Sequence, residues 1–185
     1  MAYIDANMDI KSYLTFKLDE EIFACHVNKL LHILEIPYIT EIPGSPNYMK
    51  GIINLRGKVL PVIDTKVKVG MPPVEFTKDT CIVVMDITLD NDSLLVGVLV
   101  DSVSEVLEFD EDKILPAPNL GSKYQSEFID GIVRKDDKFI MILDIDMVFS
   151  LDEINFLKSA SLDELLETTE ETEEKEDKAE TTDAK

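Results

Sequence analysis

Apolar and polar positions alternate with a two-residue period along most of the first 144 residues. The stretches YLTFKL (13–18) and EIFACHV (21–27) flank a polar Asp-Glu turn, which predicts a hairpin. Further strands are predicted at 51–55, 58–63, 80–88, 93–100, 104–108, 129–134 and 138–143. One segment breaks the rhythm. Val27, Leu30, Leu31 and Leu34 fall at i, i+3, i+4 and i+7, a spacing that predicts one short helix ended by Pro37 and Pro43. After Asp144 the period lengthens. Ser150–Glu153 and Ser161–Glu164 both fit the Ser-x-x-Glu capping box, in which hydroxyl and carboxylate satisfy free amides at a helix start. Ile154, Phe156, Leu157, Leu162, Leu165 and Leu166 give helices over 151–166 something to bury.

Many short strands separated by turn signals argue for small β-barrels rather than an alternating α/β sheet. An internal echo sharpens that reading. GIINLRGKVLPVID (51–64) aligns without a gap on GIVRKDDKFIMILD (131–144), so that Gly51 meets Gly131, Lys58 meets Lys138 and Asp64 meets Asp144. A second echo precedes it, with Ala24, Val27, Leu30 and Ile33 recurring as Gly97, Val100, Val103 and Val106. Two colinear echoes point to a duplicated β unit. The predicted fold is therefore mainly β: two similar β-barrel subdomains from an internal duplication, with short helices and a C-terminal helical segment. Residues 1–11 read as a lead-in and 12–150 as the domain. Its subdomains meet near 75 and 76, with room for strands exchanged between them.

Charge narrows the partners. The chain of 185 residues has 45% hydrophobic residues and a formal charge of -20. A field of that sign repels phosphate backbones and anionic lipid, which makes nucleic acid and membrane surfaces poor candidate partners. Nine of the 38 acidic residues lie in residues 167–185, where they and three lysines accompany only Thr and Ala. Such a composition buries too little apolar surface to offset its ordering entropy and reads as a disordered tail. The opening MAYIDANMDIKS has no apolar h-region, and the longest apolar run, Leu94–Val100, falls far short of the ~20 residues that span a bilayer. The expected location is the cytoplasm, where isolated Cys25 and Cys81 read as small core residues.

Catalytic chemistry needs convergent groups, and none emerges. His26 and His32 lie six apart, off the i, i+4 spacing of a helical zinc pair, and no G-x-S-x-G, Walker A or G-x-G-x-x-G run occurs. Asp64 and Asp144 sit at duplicate strand ends, where Asp commonly caps the next turn or helix. The chain reads as a non-enzyme without cofactor or metal. Arg56 stands apart. Between strands 51–55 and 58–63 it shares a two-residue turn with Gly57, which supplies the positive φ such turns need. That places a guanidinium, a planar fork suited to carboxylates and carbonyls, at a hairpin tip. The matching turn in the second half is Asp136-Asp137, of opposite charge.

These residues resemble the CheW family, the coupling proteins of bacterial chemotaxis, over roughly residues 12–150. The core of the likeness is Gly51, then Asn54-Leu55-Arg56-Gly57, then Pro61-Val62-Ile63-Asp64. Around it lie Phe16-Lys17-Leu18, Phe23-Ala24, Pro43-Gly44-Ser45-Pro46, Val100-Asp101-Ser102-Val103 and Phe128-Ile129-Asp130-Gly131. The resemblance implies two SH3-like barrels and a non-enzymatic scaffold. Its implied partners are the cytoplasmic tips of methyl-accepting chemoreceptors, the regulatory domain of the CheA histidine kinase and other CheW-like proteins in rings. Such a scaffold works in receptor arrays at the inner face of the membrane; a second option is an adaptor of a non-chemotaxis pathway such as surface motility. The implied partner-binding residues are Arg56, Asn54, Leu55, Gly57 and Gly51, with Leu30, His32 and Ile33 on the short helix. Two positions depart from the family pattern. Asp19 replaces a usual Gly, which should change only a turn, and His32 replaces a usual Glu, putting an imidazole where a carboxylate is usual.

Overall fold

The computed structural model describes residues 10–89, 92–117, 128–150 and 152–159. The second capping box, the acidic tail, residues 1–9 and most of the 116–122 loop lie outside the described residues. The strands run β1 Ile10–Leu18, β2 Glu21–His26, β3 Leu30–Glu35, β4 Met49–Leu55 and β5 Lys58–Asp64. After the short helix α1, Thr65–Lys68, come β6 Cys81–Leu89, β7 Asp92–Val100, β8 Ser102–Asp110, β9 Leu115–Pro116, β10 Ile129–Lys135 and β11 Lys138–Leu143. A last helix, α2, covers 152–159.

The segment predicted as a helix is instead strand β3. Only Val27–Lys29 turn helically, as one 3-10 turn in which the His26 side chain accepts the Asn28 N–H. Leu30–Glu35 then extend and pair antiparallel with β6, with a register shift between Leu30 and His32. The sequence LLHILE fits both periods over so few residues, and the open edge of β6 decides between them by supplying backbone partners.

The strands form two sheets, ordered β8-β1-β2-β11-β10-β9 and β3-β6-β7-β5-β4. Each takes strands from both halves of the echo. The β1–β2 hairpin joins the second-half strands through a parallel β2–β11 pairing, and the β6–β7 hairpin joins first-half strands through a parallel β7–β5 pairing. The registers match as the echo demands: Ala24 lies opposite Ile142, and Gly97 opposite Val62. Backbone bonds repeat too, Asp64 N–H to the Tyr48 carbonyl and Asp144 N–H to that of Phe128. The molecule is thus a duplicated unit whose first hairpins have been reciprocally exchanged.

Strand alternation distributes the apolar side chains among three clusters. On β6, Ile82 and Val84 face the core of the β3–β7 barrel with Ile53, Leu60, Val62 and Leu99. Val83, Met85 and Ile87 face the other way, into a larger core shared with Leu14, Phe16, Leu18, Phe23, Val98 and Leu143. The other sheet keeps its own core around Tyr13, Ala24, Phe109, Val133, Ile140 and Ile142. Strands buried on both faces explain the continuous apolar runs in the sequence. Helix α2 closes the shared core with Ile154 and Leu157. Its start is the predicted capping box: the Ser150 N–H donates to Glu153 Oε2 at 2.8 Å and the Glu153 N–H to Ser150 Oγ at 3.3 Å. No helix among the described residues is long and apolar enough to cross a membrane.

Candidate interaction surface

The β4–β5 turn is built by local rules. Arg56 and Gly57 both have positive φ, 55° and 81°, the signature of a tight primed hairpin turn. The Asn54 side chain locks it by accepting the Gly57 N–H at 2.7 Å. Leu55 is half-buried against the β3–β7 barrel core, whereas Asn54, Arg56 and Gly57 are exposed. No ion pair or hydrogen bond from the described residues engages the Arg56 guanidinium. Among the described residues this cation therefore stands unpaired at the tip. In the second half the turn residue Asp136 repeats the positive φ, 55°, but the brace is reversed, with Arg134 Nε donating to the Asp136 carbonyl at 3.2 Å.

Gly51 belongs beneath the surface rather than on it. It is buried at φ +141°, and a Cβ there would lie 2.1 Å from the Thr40 carbonyl oxygen. The missing side chain lets residue 40 cross β4 and exchange two backbone hydrogen bonds with Ile52, at 2.9 and 2.8 Å. Gly51 thus offers no contact surface to a partner; its task is to let the chain pass.

Leu30, His32 and Ile33 lie on edge strand β3. Leu30 is half-buried on the shared core, His32 is exposed and paired with Val84, and Ile33 is 47% exposed beside Leu31 at 46%. The face offered here is a strand edge with apolar side chains, not the predicted helix stripe. Two aromatic residues join the exposed surface without any signal in the apolar pattern. Tyr38 and Phe76, from segments without periodicity, line an open notch of about 230 Å³ with Lys50, whose Nζ stands 5.9 Å from the Phe76 ring centre.

The other candidate groups have structural tasks. Asp64 is fully buried and its carboxylate accepts the Val67 and Val74 N–H groups at 3.2 and 3.0 Å, capping α1 as predicted. Asp144 accepts from Asp146 and Met147 in the same manner. His26 packs edge-on against Tyr13 with ring centres 5.3 Å apart. Burial pushes the Cys25 thiol up to about 12, far from thiolate chemistry at neutral pH. Among the described residues no group of three or more His, Cys, Asp or Glu side chains is placed to hold a metal ion. Asp19 does more than alter a turn: besides a φ of 56°, its carboxylate pairs with the buried Lys66 ammonium.

A model of the CheW-like domain matches residues 12–153. The chain belongs to the CheW family. It is 32% identical over 147 residues to the probable chemotaxis protein CheW of Rhizobium etli, covering 80% of this chain and 92% of that one. To the chemotaxis protein CheW of Thermotoga maritima it is 32% identical, covering 73% and 85%. The solved scaffolding protein TtCheW from Thermoanaerobacter tengcongensis superposes with a TM-score of 0.68 at 33% identity, covering 78% of this chain and 95% of that one. Membership assigns an adaptor role in chemotaxis signalling, with the two-barrel duplication of the CheW scaffold.

Proposed function

We propose that this CheW-family adaptor couples the cytoplasmic tips of chemoreceptors to the regulatory domain of the CheA histidine kinase, as a non-catalytic scaffold in cytoplasmic arrays beneath the membrane. The observation that carries the reading is the Arg56 tip: a guanidinium with no partner among the described residues, held by the Asn54–Gly57 brace in a backbone conformation that arginine adopts only at a cost. Strain kept at an exposed residue that bonds to no other described residue argues for an intermolecular partner. Asn54, Leu55 and Gly57 shape the tip, and Leu30, His32 and Ile33 offer a strand edge to which a helical receptor hairpin can pack. Arg56 sets register by charge-assisted hydrogen bonds, while the apolar contacts supply most of the affinity.

Arg56→Glu tests this. The circular dichroism spectrum and melting are expected to stay as in the parent, since the residue bonds to nothing described in the fold. Co-sedimentation with receptor fragments and kinase is expected to weaken by about tenfold or more, as for an interface hot-spot arginine. Undiminished co-sedimentation removes Arg56 from the contact surface.

A further inference from the structure

The chain passes between the sheets at two crossovers, and a charged cluster sits at each. At the first, from β2 to β3, Lys29 Nζ lies 2.6 Å from Asp146 Oδ2, and the second Asp146 oxygen accepts the Thr88 N–H at 2.8 Å. At the second, from β7 to β8, Asp101 Oδ2 lies 3.5 Å from Lys66 Nζ and accepts the Asp19 N–H at 2.5 Å, while Asp19 itself also pairs with Lys66. The alignment that superposes Asp64 on Asp144 superposes Lys66 on Asp146. The same place in the duplicated unit therefore carries a cation in one half and an anion in the other, and each finds its opposite at the crossover beside it.

The clusters also bridge the sheets in the same sense. Lys66, in the helix after β5 of one sheet, reaches Asp19 in the β1–β2 turn of the other. Asp146, after β11, reaches Thr88 on β6 of the opposite sheet. Lys66 is 5% exposed. Burial alone would lower its proton affinity, yet the bonds to Asp19 and Asp101 outweigh this and keep the ammonium favoured.

We infer that these two charge-reversed clamps fix the orientation of one barrel against the other, so that Lys66, Asp19, Asp101, Asp146 and Lys29 are positioning residues for whatever surface spans both barrels. The shared apolar core holds the barrels together, but burial of apolar area is non-directional and tolerates small rotations. A charge pair held at two points does not. Opposite signs also stop either clamp from closing on its counterpart's partner, a registry role like that attested for buried ionic groups such as Lys66.

The full-length chain allows a direct test. Spin labels on Lys58→Cys and Lys138→Cys, exposed and equivalent positions on the two sheets, report the inter-barrel distance in a Cys81→Ser background, Cys25 being buried. The parent is expected to show one narrow distance. Lys66→Met and Asp146→Asn should each broaden or displace it while circular dichroism stays that of a folded β protein. Lys29→Glu should do the same, because it sets a like charge against Asp146 while leaving the Thr88 bond intact. Asp146→Asn keeps an acceptor for the Thr88 N–H and lies on a pair about one-quarter exposed, so that arm decides the matter if Lys66→Met fails to fold. An unchanged distribution in Asp146→Asn or in Lys29→Glu overturns the inference.

Discussion

Arg56→Asn should make the protein more stable and a worse adaptor. In the left-handed region an L-residue costs roughly 1–2 kcal/mol because its Cβ crowds the following carbonyl. Asn tolerates that region far better, and Asn-Gly is the preferred pair for this turn. Since Arg56 has no bond to other described residues, the folded state loses nothing in exchange. Removing one cation from a chain of charge -20 works against the gain, but an exposed charge is screened over about 8 Å at physiological salt. A net gain of about 0.5–1 kcal/mol remains, which in a protein of this size raises Tm by roughly 1–4 °C. Calorimetric melting measures the first effect, and titration calorimetry with a receptor fragment or kinase regulatory domain measures the second. A lowered Tm refutes the strain argument. Unchanged affinity refutes the claim that the strain is kept for binding.

Two further outcomes follow from the same structure. Gly51→Ala should cost roughly 2–4 kcal/mol in urea unfolding, because the new Cβ displaces the Thr40 carbonyl and breaks the pair of bonds to Ile52, on top of the positive-φ penalty; a loss below about 1 kcal/mol would mean the crossing segment moves aside freely. The Glu153 carboxyl is pushed up by burial but pulled down further by its bonds to Lys68 and Ser150, so its folded value lies below the ordinary 4.5. A depressed carboxyl stabilises the fold above its unfolded pKa and loses that contribution as pH falls through the folded value. Glu153→Gln should therefore lower the melting temperature at neutral pH and flatten its decline below about pH 4.5, and an acid limb identical to the parent's would remove Glu153 from the linkage.

Much of this architecture is legible in the chain. Period-two runs locate the strands at 51–55, 58–63, 93–100 and 138–143 to within two residues, because each packs apolar side chains on a core. The Arg56 turn is legible because Gly57 marks it, and α2 because its capping box is a local device. Residues 30–35 deceive because six apolar-rich positions satisfy two periods at once, and only the distant β6 edge resolves them. The pairing of β2 with β11 leaves no local trace, since backbone bonds between far segments impose no spacing on either. The clamps are hidden for a further reason: the echo shows best where the halves kept the same residue, and at Lys66 and Asp146 they acquired opposite ones.

The reciprocal exchange of hairpins has a cost during synthesis. The β1–β2 hairpin leaves the ribosome early, yet its Ala24 pairs with Ile142, and the strands carrying its cover are among the last translated. At ~5–20 residues per second the hairpin waits roughly 6–24 s for β11, with Tyr13 and Ala24 uncovered until Val133, Ile140 and Ile142 arrive. The arrangement that ties the two halves together also postpones closure of its first-made parts to the end of translation. A prematurely terminated copy is accordingly an aggregation hazard rather than half an adaptor.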